Sequence, residues 1–147
     1  MDNEGAAFKE LMLQVLRTRL AFRRMVQRAL KRNNAGITFE MLQVLNCLWQ
    51  EEGIAQQTLA ERIVKDKACL TSLLANLEKK GYVYRQEGAE DRRNKMVFLT
   101  PEGAAARRRI RPMLSALYAE AEMAVGLENV QRMVSDLGIV YEILENE

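Results

Sequence analysis

Apolar residues recur every three or four positions over most of the chain, a pattern typical of helices with one buried face. A strand-like pattern replaces it in the second half, where the β-branched and aromatic runs Tyr82–Gln86 and Met96–Thr100 flank a polar loop. Glycines separate the helical parts, and Thr38, Asp66 and Thr100 are expected to cap the helices that follow them. Four of the predicted helices span Phe8–Lys31, Gln56–Val64, Asp66–Lys80 and Glu102–Ala124. Another begins after Thr38 and ends before Gly53, and the last follows Gly126.

The segment Gln56–Gly103 places two short helices a tight turn apart and two strands directly after them. This order is typical of a winged helix-turn-helix, which presents its second helix to the DNA major groove and its hairpin loop, the wing, to the adjoining backbone or minor groove. The predicted fold class is therefore mainly α with a small β-hairpin wing. We also expect Ile54-Ala55 to pair with the hairpin, and Pro112 to kink or break the fifth helix.

Charge is distributed unevenly, although the net charge is only +2. Residues 1–33 contain eight Lys and Arg against three Asp and Glu, whereas residues 120–147 contain one Arg against seven acidic residues. Ends of opposite sign can attract each other, within one chain or between two copies. The first helix, about 36 Å long, has an apolar stripe that a small core cannot cover, which also predicts a partner.

The residue types present argue against an enzyme. The chain has no His, which removes Ser-His and Cys-His catalysis and His-ligated zinc. It has no glycine-rich phosphate loop, metal-ligand cluster or nucleophile-base motif, so we expect neither a cofactor nor a metal. Cys47 and Cys69 form no CxxC pair, and no apolar run approaches the roughly 18–20 residues of a membrane span. We therefore expect a cytoplasmic protein that does not contact a membrane.

The ordered motifs of the central segment resemble the MarR family of bacterial winged-helix transcription regulators, and the resemblance covers essentially the whole chain. It implies a homodimer that binds a pseudo-palindromic site in double-stranded DNA, in many relatives under the control of a small-molecule effector. Residues 37–103 would form the winged lobe, and residues 1–36 and 104–147 the dimerisation helices of a single domain. The motifs that carry the resemblance are Leu59-Ala60, Asp66-Lys67, Leu77-Glu78-Lys79-Lys80-Gly81, Asp91 with Arg93, and Leu99-Thr100 followed by Gly103.

The fourth helix is the predicted DNA-reading helix, since Leu70, Leu73, Leu74 and Leu77 must face the core and leave the other positions outside. It has Ala68-Cys69 where Ser-Thr is frequent in the family, and Ser72 where Arg is frequent. At the start of the third helix, Gln57 and Thr58 are expected to contact a phosphate, although helix capping explains them equally well. The predicted contacts of the reading helix are Lys67, Ala68, Cys69, Thr71, Ser72 and Asn76.

The hairpin tip carries Arg92 and Arg93, with Lys95 beside them, and a guanidinium on a projecting loop suits a minor groove or a phosphate. The family resemblance assigns the stabilisation of the wing to Asp91, and Arg85 is its candidate partner. Surface charges that neutralise each other are the alternative. A further basic cluster, Arg107, Arg108, Arg109 and Arg111, indicates either phosphate contacts or a solvated helix face.

Two regulatory features and one alternative function remain open. An effector pocket would lie where the first, second and fifth helices meet the winged lobe, although core packing explains its candidate residues as well. Cys69, near a helix N-terminus and beside Lys67, is a candidate redox switch, whereas Cys47 suits a small core position. A winged helix that binds protein instead of DNA is the alternative function. The candidate residues of the effector pocket between the first, second and fifth helices are Met12, Leu16, Met41, Leu45, Trp49 and Met113.

Overall fold

The helices and strands form two compact units, Met1–Ile110 and Arg111–Glu147. The structure is a computed structural model that describes residues 3–63, 67–88, 90 and 93–147, with only the backbone of Lys67. The first unit contains the sheet and nearly all of the buried apolar side chains, so the core of the described chain lies there.

Helix α1 (Ala6–Arg32) confirms the predicted long N-terminal helix. It is buried toward its C-terminal end, at Val26 and Leu30 among others. Leu16 and Leu20, in its middle, are 55% and 56% exposed. The first unit therefore covers only part of the apolar stripe that the sequence predicts.

Helix α2 (Phe39–Gln50) supplies the centre of the core. Gly36, at φ 74°, turns the chain before it, and the predicted cap is confirmed because the Thr38 hydroxyl accepts a hydrogen bond from the Met41 amide at 3.2 Å. Its buried residues are Phe39, Met41, Leu42, Val44, Leu45 and Leu48.

Helices α3 (Gln56–Ile63) and α4 (Lys67–Lys79) form the predicted helix-turn-helix. The predicted cap of α4, Asp66, lies outside the described residues. At the other end of α4, Gly81 adopts φ 79°, and the Tyr82 amide donates to the Leu77 carbonyl at 3.0 Å. This is the left-handed helix stop that glycine permits.

A three-stranded antiparallel sheet follows, in the order β1-β3-β2. It consists of β1 (Ile54–Ala55), β2 (Val83–Glu87) and β3 (Lys95–Leu99). The predicted pairing of Ile54-Ala55 is confirmed, since Ile54 lies opposite Val97. Each hairpin strand lies one residue nearer the loop than predicted. Val83 pairs with Leu99 at one end of the ladder, and Glu87 pairs with Lys95 at the other end, next to the loop.

Helix α5 (Pro101–Val125) begins where the wing ends. Thr100 caps it as predicted, because its hydroxyl accepts from the Gly103 amide at 3.0 Å. Of the kink or break predicted at Pro112, the break does not occur, since α5 runs through this position. Proline removes one helical hydrogen bond, but Ile110 in the preceding turn is 1% exposed, and its packing stabilises the helix there.

Helix α6 (Leu127–Glu145) confirms the predicted last helix and belongs to the second unit. Gly126, at φ 101°, precedes it. None of its residues, all of which the structure describes, is buried in the single chain. The exposed apolar side chains of α6 are Leu127, Met133, Val134, Leu137, Ile139, Tyr141, Ile143 and Leu144.

The close contact at Gly103 gives a prediction for stability. A Cβ at this position would lie 2.0 Å from the Tyr82 carbonyl oxygen, so we expect Gly103→Ala to destabilise the protein by about 1–3 kcal/mol in urea unfolding. Gly138→Ala is the matched control, because a Cβ there meets nothing within 4 Å and alanine favours the helix by about 0.5–1 kcal/mol. Equal unfolding midpoints for the two variants would contradict the contact.

Candidate nucleic-acid interface

The outward face of α4 is open to solvent along the described part of the helix. Leu70, Leu74 and Leu77 are 0% exposed and anchor the opposite face. Because these leucines fix the rotation of the helix about its axis, the intervening positions project outward. The side chain of Lys67 lies outside the described residues. The other predicted contacts on α4 are all exposed: Ala68, Cys69, Thr71, Ser72 and Asn76.

A groove of about 520 Å³ runs between the start of α3, the first half of α4 and the wing. It brings together predicted residues that are far apart in sequence, Gln57 and Thr71 from the helices and Arg93 from the wing. Its described lining residues include no acidic side chain and three cationic ones, of which Arg85 is paired with Glu78. The net positive charge favours an anion such as a phosphate backbone. The lining residues are Gln56, Gln57, Leu70, Thr71, Arg85, Arg93, Asn94 and Lys95.

Gln56 is a site residue that the sequence analysis missed. Its Nε2 donates to the Thr71 hydroxyl at 3.2 Å, which joins the start of α3 to the reading helix inside the groove. Its Oε1 is buried and has no hydrogen-bond partner among the described residues. The neighbouring Gln57 is exposed and Thr58 is half-buried. The polar run at the start of α3 was the available signal, but it did not show which side chain turns toward Thr71.

Arg85, predicted to stabilise the wing, forms an ion pair with a residue of the reading helix. Its Nε donates to Glu78 Oε1 in a partly exposed ion pair, which joins β2 to the last turn of α4. The predicted partner, Asp91, lies outside the described residues, as does Arg92. Because both groups of the pair are partly exposed, it contributes about 1 kcal/mol at most to stability, but it fixes the angle between strand and helix.

The wing is closed below its tip by the Gly88 amide, which donates to the Asn94 carbonyl at 2.8 Å. Arg93 and Lys95 are both exposed on the arm that returns to the sheet. Since Arg93 also lines the groove, its guanidinium lies on the same concave surface as the reading helix.

The basic cluster of α5 faces the protein at two of its four positions. Arg109 Nη1 donates to the Ala35 carbonyl, and Nη2 to the Tyr82 hydroxyl, both at 3.0 Å. Arg107 Nη1 donates to the Trp49 carbonyl at 3.5 Å. Arg108, Arg109 and Arg111 are exposed, and Arg107 is half-buried. The sequence predicts contact with phosphate or with solvent for this cluster. It gives no sign of these internal bonds, because their acceptors lie far away in sequence.

The candidate effector residues lie in different local environments. Met41 and Leu45 are buried in the core, and Trp49 donates its Nε1 hydrogen to the Gly103 carbonyl at 2.9 Å. Met12 is half-buried, and Met113 belongs to the second unit. Leu16 lines a cleft of about 510 Å³ together with Arg19, Leu20, Arg23, Phe39, Glu40 and Gln43.

The two cysteines differ in accessibility. Cys69 is exposed on α4, whereas Cys47 is half-buried on α2. Burial raises the pKa of the Cys47 thiol, with a smaller opposing effect from the Arg62 charge. Cys47 therefore ionises less readily than an ordinary cysteine.

No group of three or more His, Cys, Asp or Glu is placed to hold a metal among the residues that the structure describes. Over the same residues, no helix is both long enough and apolar enough to cross a membrane.

The reading helix, the wing and the groove between them define a winged helix-turn-helix protein, a class that binds duplex DNA. The MarR family model matches residues 37–95. The chain is 31% identical over 102 residues to the HTH-type transcriptional regulator SarZ of Staphylococcus epidermidis, covering 69% of this chain and 68% of that protein. Identity to SarZ of Staphylococcus haemolyticus is 38% over 81 residues, 55% of this chain and 52% of the relative, so the match spans about half of that protein.

Two solved structures share the fold over most of their length. The M. tuberculosis transcriptional regulator MosR, in complex with DNA, is 27% identical with a TM-score of 0.71, covering 90% of this chain and 96% of that chain. NadR, in complex with 4-hydroxyphenylacetate, is 25% identical with a TM-score of 0.72, covering 87% and 89%. The chain therefore belongs to the MarR family of DNA-binding transcriptional regulators, and this membership confirms the prediction that it is not an enzyme.

The difference between the cysteines gives a second prediction. At pH 7 we expect a maleimide to modify Cys69 at least about tenfold faster than Cys47, because the exposed thiol is accessible and burial keeps Cys47 protonated. Mass spectrometry of the Cys47→Ser and Cys69→Ser variants measures each rate separately. The rate at Cys47 should rise with pH as its thiol ionises; equal rates at pH 7 would contradict the burial of Cys47.

Proposed function

We propose that the protein is a homodimeric, sequence-specific DNA-binding repressor that responds to a small molecule. The groove between α4 and the wing carries this proposal, since it combines an exposed helix face with three cations and no acid among its described lining residues. A positive concave surface of this kind attracts the phosphate backbone and lets the adjoining helix approach the bases.

In this proposal α4 enters the major groove, whose width of about 12 Å admits a helix. Thr71, Ser72 and Asn76 offer hydrogen-bonding groups to base edges, and Ala68 offers a methyl group to thymine. Arg93 then reaches a phosphate or the adjoining minor groove. Gln57 and Thr58 contribute at the start of α3, where a helix N-terminus favours a phosphate. The complex of MosR with DNA supports this mode of binding.

We assign dimerisation to residues 1–36 and 104–147, and DNA binding to residues 37–103. The apolar side chains of α6 support this division, because a helix with none of its residues buried requires a partner to become stable. In the first unit, Leu13 of α1 is more than half exposed. Two-fold symmetry would place two reading helices roughly 34 Å apart, one turn of DNA, on a pseudo-palindromic site.

The cleft between α1 and α2 is the proposed effector site. Leu16, Leu20 and Phe39 give it apolar walls, and Arg19 contributes a positive charge. Arg23 is held there by Glu40 at 2.5 Å and lies 5.9 Å from the centre of the Phe39 ring. Such a cleft suits a small amphipathic anion. The complex of NadR with 4-hydroxyphenylacetate supports a ligand of this class.

In this proposal the dimer represses transcription by occupying a promoter and excluding the polymerase. The predicted cytoplasmic location is part of the same proposal. The exposed thiol of Cys69 keeps a redox response as a second hypothesis, since oxidation there would alter the reading face. A dimer that binds no duplex DNA at any salt concentration would favour the alternative, a winged helix that binds protein.

Removal of the wing cation tests the DNA-binding mode. We expect Arg93→Ala to weaken binding to duplex DNA and to reduce the slope of log affinity against log salt by about 0.9, the contribution of one phosphate contact. Fluorescence anisotropy at several salt concentrations measures both quantities. Arg132→Ala, which removes the same charge from the exposed surface of α6, should leave the slope unchanged. An unaltered slope for Arg93→Ala would remove the wing from the binding surface.

A charge within the apolar stripe of α6 tests the dimer. Leu137 is 43% exposed in the single chain, and we expect Leu137→Glu to convert the dimer to a monomer, because burial of an unpaired carboxylate opposes association. Arg132→Glu places the same residue about 140° around α6 from Leu137, and this variant should remain dimeric. Light scattering after size exclusion gives both masses. A monomeric wild type, or a Leu137→Glu dimer as tight as wild type, would contradict the proposed interface.

A further inference from the structure

Tyr82 joins the end of the reading helix to the first strand of the wing, and α5 holds it at both of its polar ends. Its carbonyl oxygen accepts a hydrogen bond from the Thr100 amide at 3.0 Å. Its hydroxyl oxygen accepts from Arg109 Nη2, also at 3.0 Å. At Gly103 the α5 backbone approaches the same carbonyl so closely that a Cβ would lie 2.0 Å from it. The start of α5 therefore determines the position of Tyr82.

Arg109 also holds the chain between α1 and α2. Its Nη1 donates to the Ala35 carbonyl at 3.0 Å, and Ala35 is only 4% exposed. One planar guanidinium thus joins the segment between α1 and α2 to Tyr82, which lies between the reading helix and the wing. Lysine keeps the charge but cannot present two donors in this fixed geometry.

We propose that Arg109 is a positioning residue for DNA reading, which acts through Tyr82 and not through contact with DNA. The inference rests on the proposed function. Helix α4 has 13 residues, so a rotation of about 5° at its C-terminal end would move its first turn by about 1.7 Å. A displacement of that size breaks hydrogen bonds to bases but changes the attraction to phosphates little. Loss of the Arg109–Tyr82 contact should therefore reduce specificity more than general affinity.

The test uses variants that disturb this contact without altering charge. Tyr82→Phe removes the hydroxyl alone, and Arg109→Lys removes the double donor. Arg108→Lys is the control, because Arg108 is the adjacent arginine and takes part in neither of these two hydrogen bonds. The probes are a 24-base-pair duplex selected from a random pool by the wild-type protein and a scrambled duplex of equal composition, titrated at several salt concentrations.

We expect Tyr82→Phe and Arg109→Lys each to lower affinity for the selected duplex about three- to tenfold, the effect of one hydrogen bond. Affinity for the scrambled duplex and both salt slopes should stay at wild-type values, and Arg108→Lys should match wild type throughout. The double variant should be no weaker than the weaker single variant, since both changes break the same contact. A merely destabilised protein would instead lose affinity for both duplexes by the same factor, which would overturn the inference.

Two further outcomes separate the inference from the function on which it rests. If the wild type selects duplexes and Tyr82→Phe binds them with unchanged affinity, Arg109 has no positioning role and the proposed function stands. If the wild type selects no duplex at all, the proposed function fails and the positioning role fails with it. The slope of log affinity against log salt could instead fall by about 0.9 in Arg109→Gln while Tyr82→Phe keeps the wild-type slope and affinity. That result would show that Arg109 contacts a phosphate.

Discussion

Burial of three leucines on one side of α4 is the constraint on which the rest of the proposed reading surface depends. Leu70, Leu74 and Leu77 recur at intervals of four and three residues, so they lie on one side of the helix and enter the core together. The helix contacts α2, α3 and β2 through this part of the first unit. A rotation that exposed a different face would withdraw all three leucines, at a cost of several kcal/mol. The core therefore selects the residues of α4 that face outward.

The angle between the reading helix and the wing depends on a smaller set of polar contacts. The ion pair of Arg85 with Glu78 joins β2 to α4, and Thr100 and Gly103 hold the turn between them against α5. Each contact is modest in energy, because the groups are partly exposed. Together they bring cations from the wing and polar groups from the helices into the lining of a single groove. Neither the wing nor the helices alone would form this groove.

The helices at the two ends of the chain differ from the helix-turn-helix and the wing, because much of their apolar surface is not buried within either unit. Helix α6 has no buried residue, and the middle of α1 exposes leucines. Opposite charges accompany these helices, basic at the N-terminal end and acidic at the C-terminal end. Apolar surface flanked by charge of complementary sign suits association with a second copy, which is why the dimer belongs to the proposed function.

The sequence by itself determined the order and type of the helices and strands, because hydrophobic periodicity, glycines and caps such as Thr38 and Thr100 act locally. It also indicated the outward face of α4 and the family, since both depend on residues at fixed spacing. The contacts of Gln56 with Thr71, Arg85 with Glu78, and Arg109 with Ala35 and Tyr82 were decided by the tertiary structure alone. Pro112 shows the same limit, because a local rule predicted a possible break where packing keeps the helix continuous. Side-chain partners distant along the chain leave no periodic signal, and only the folded core brings them within reach of one another.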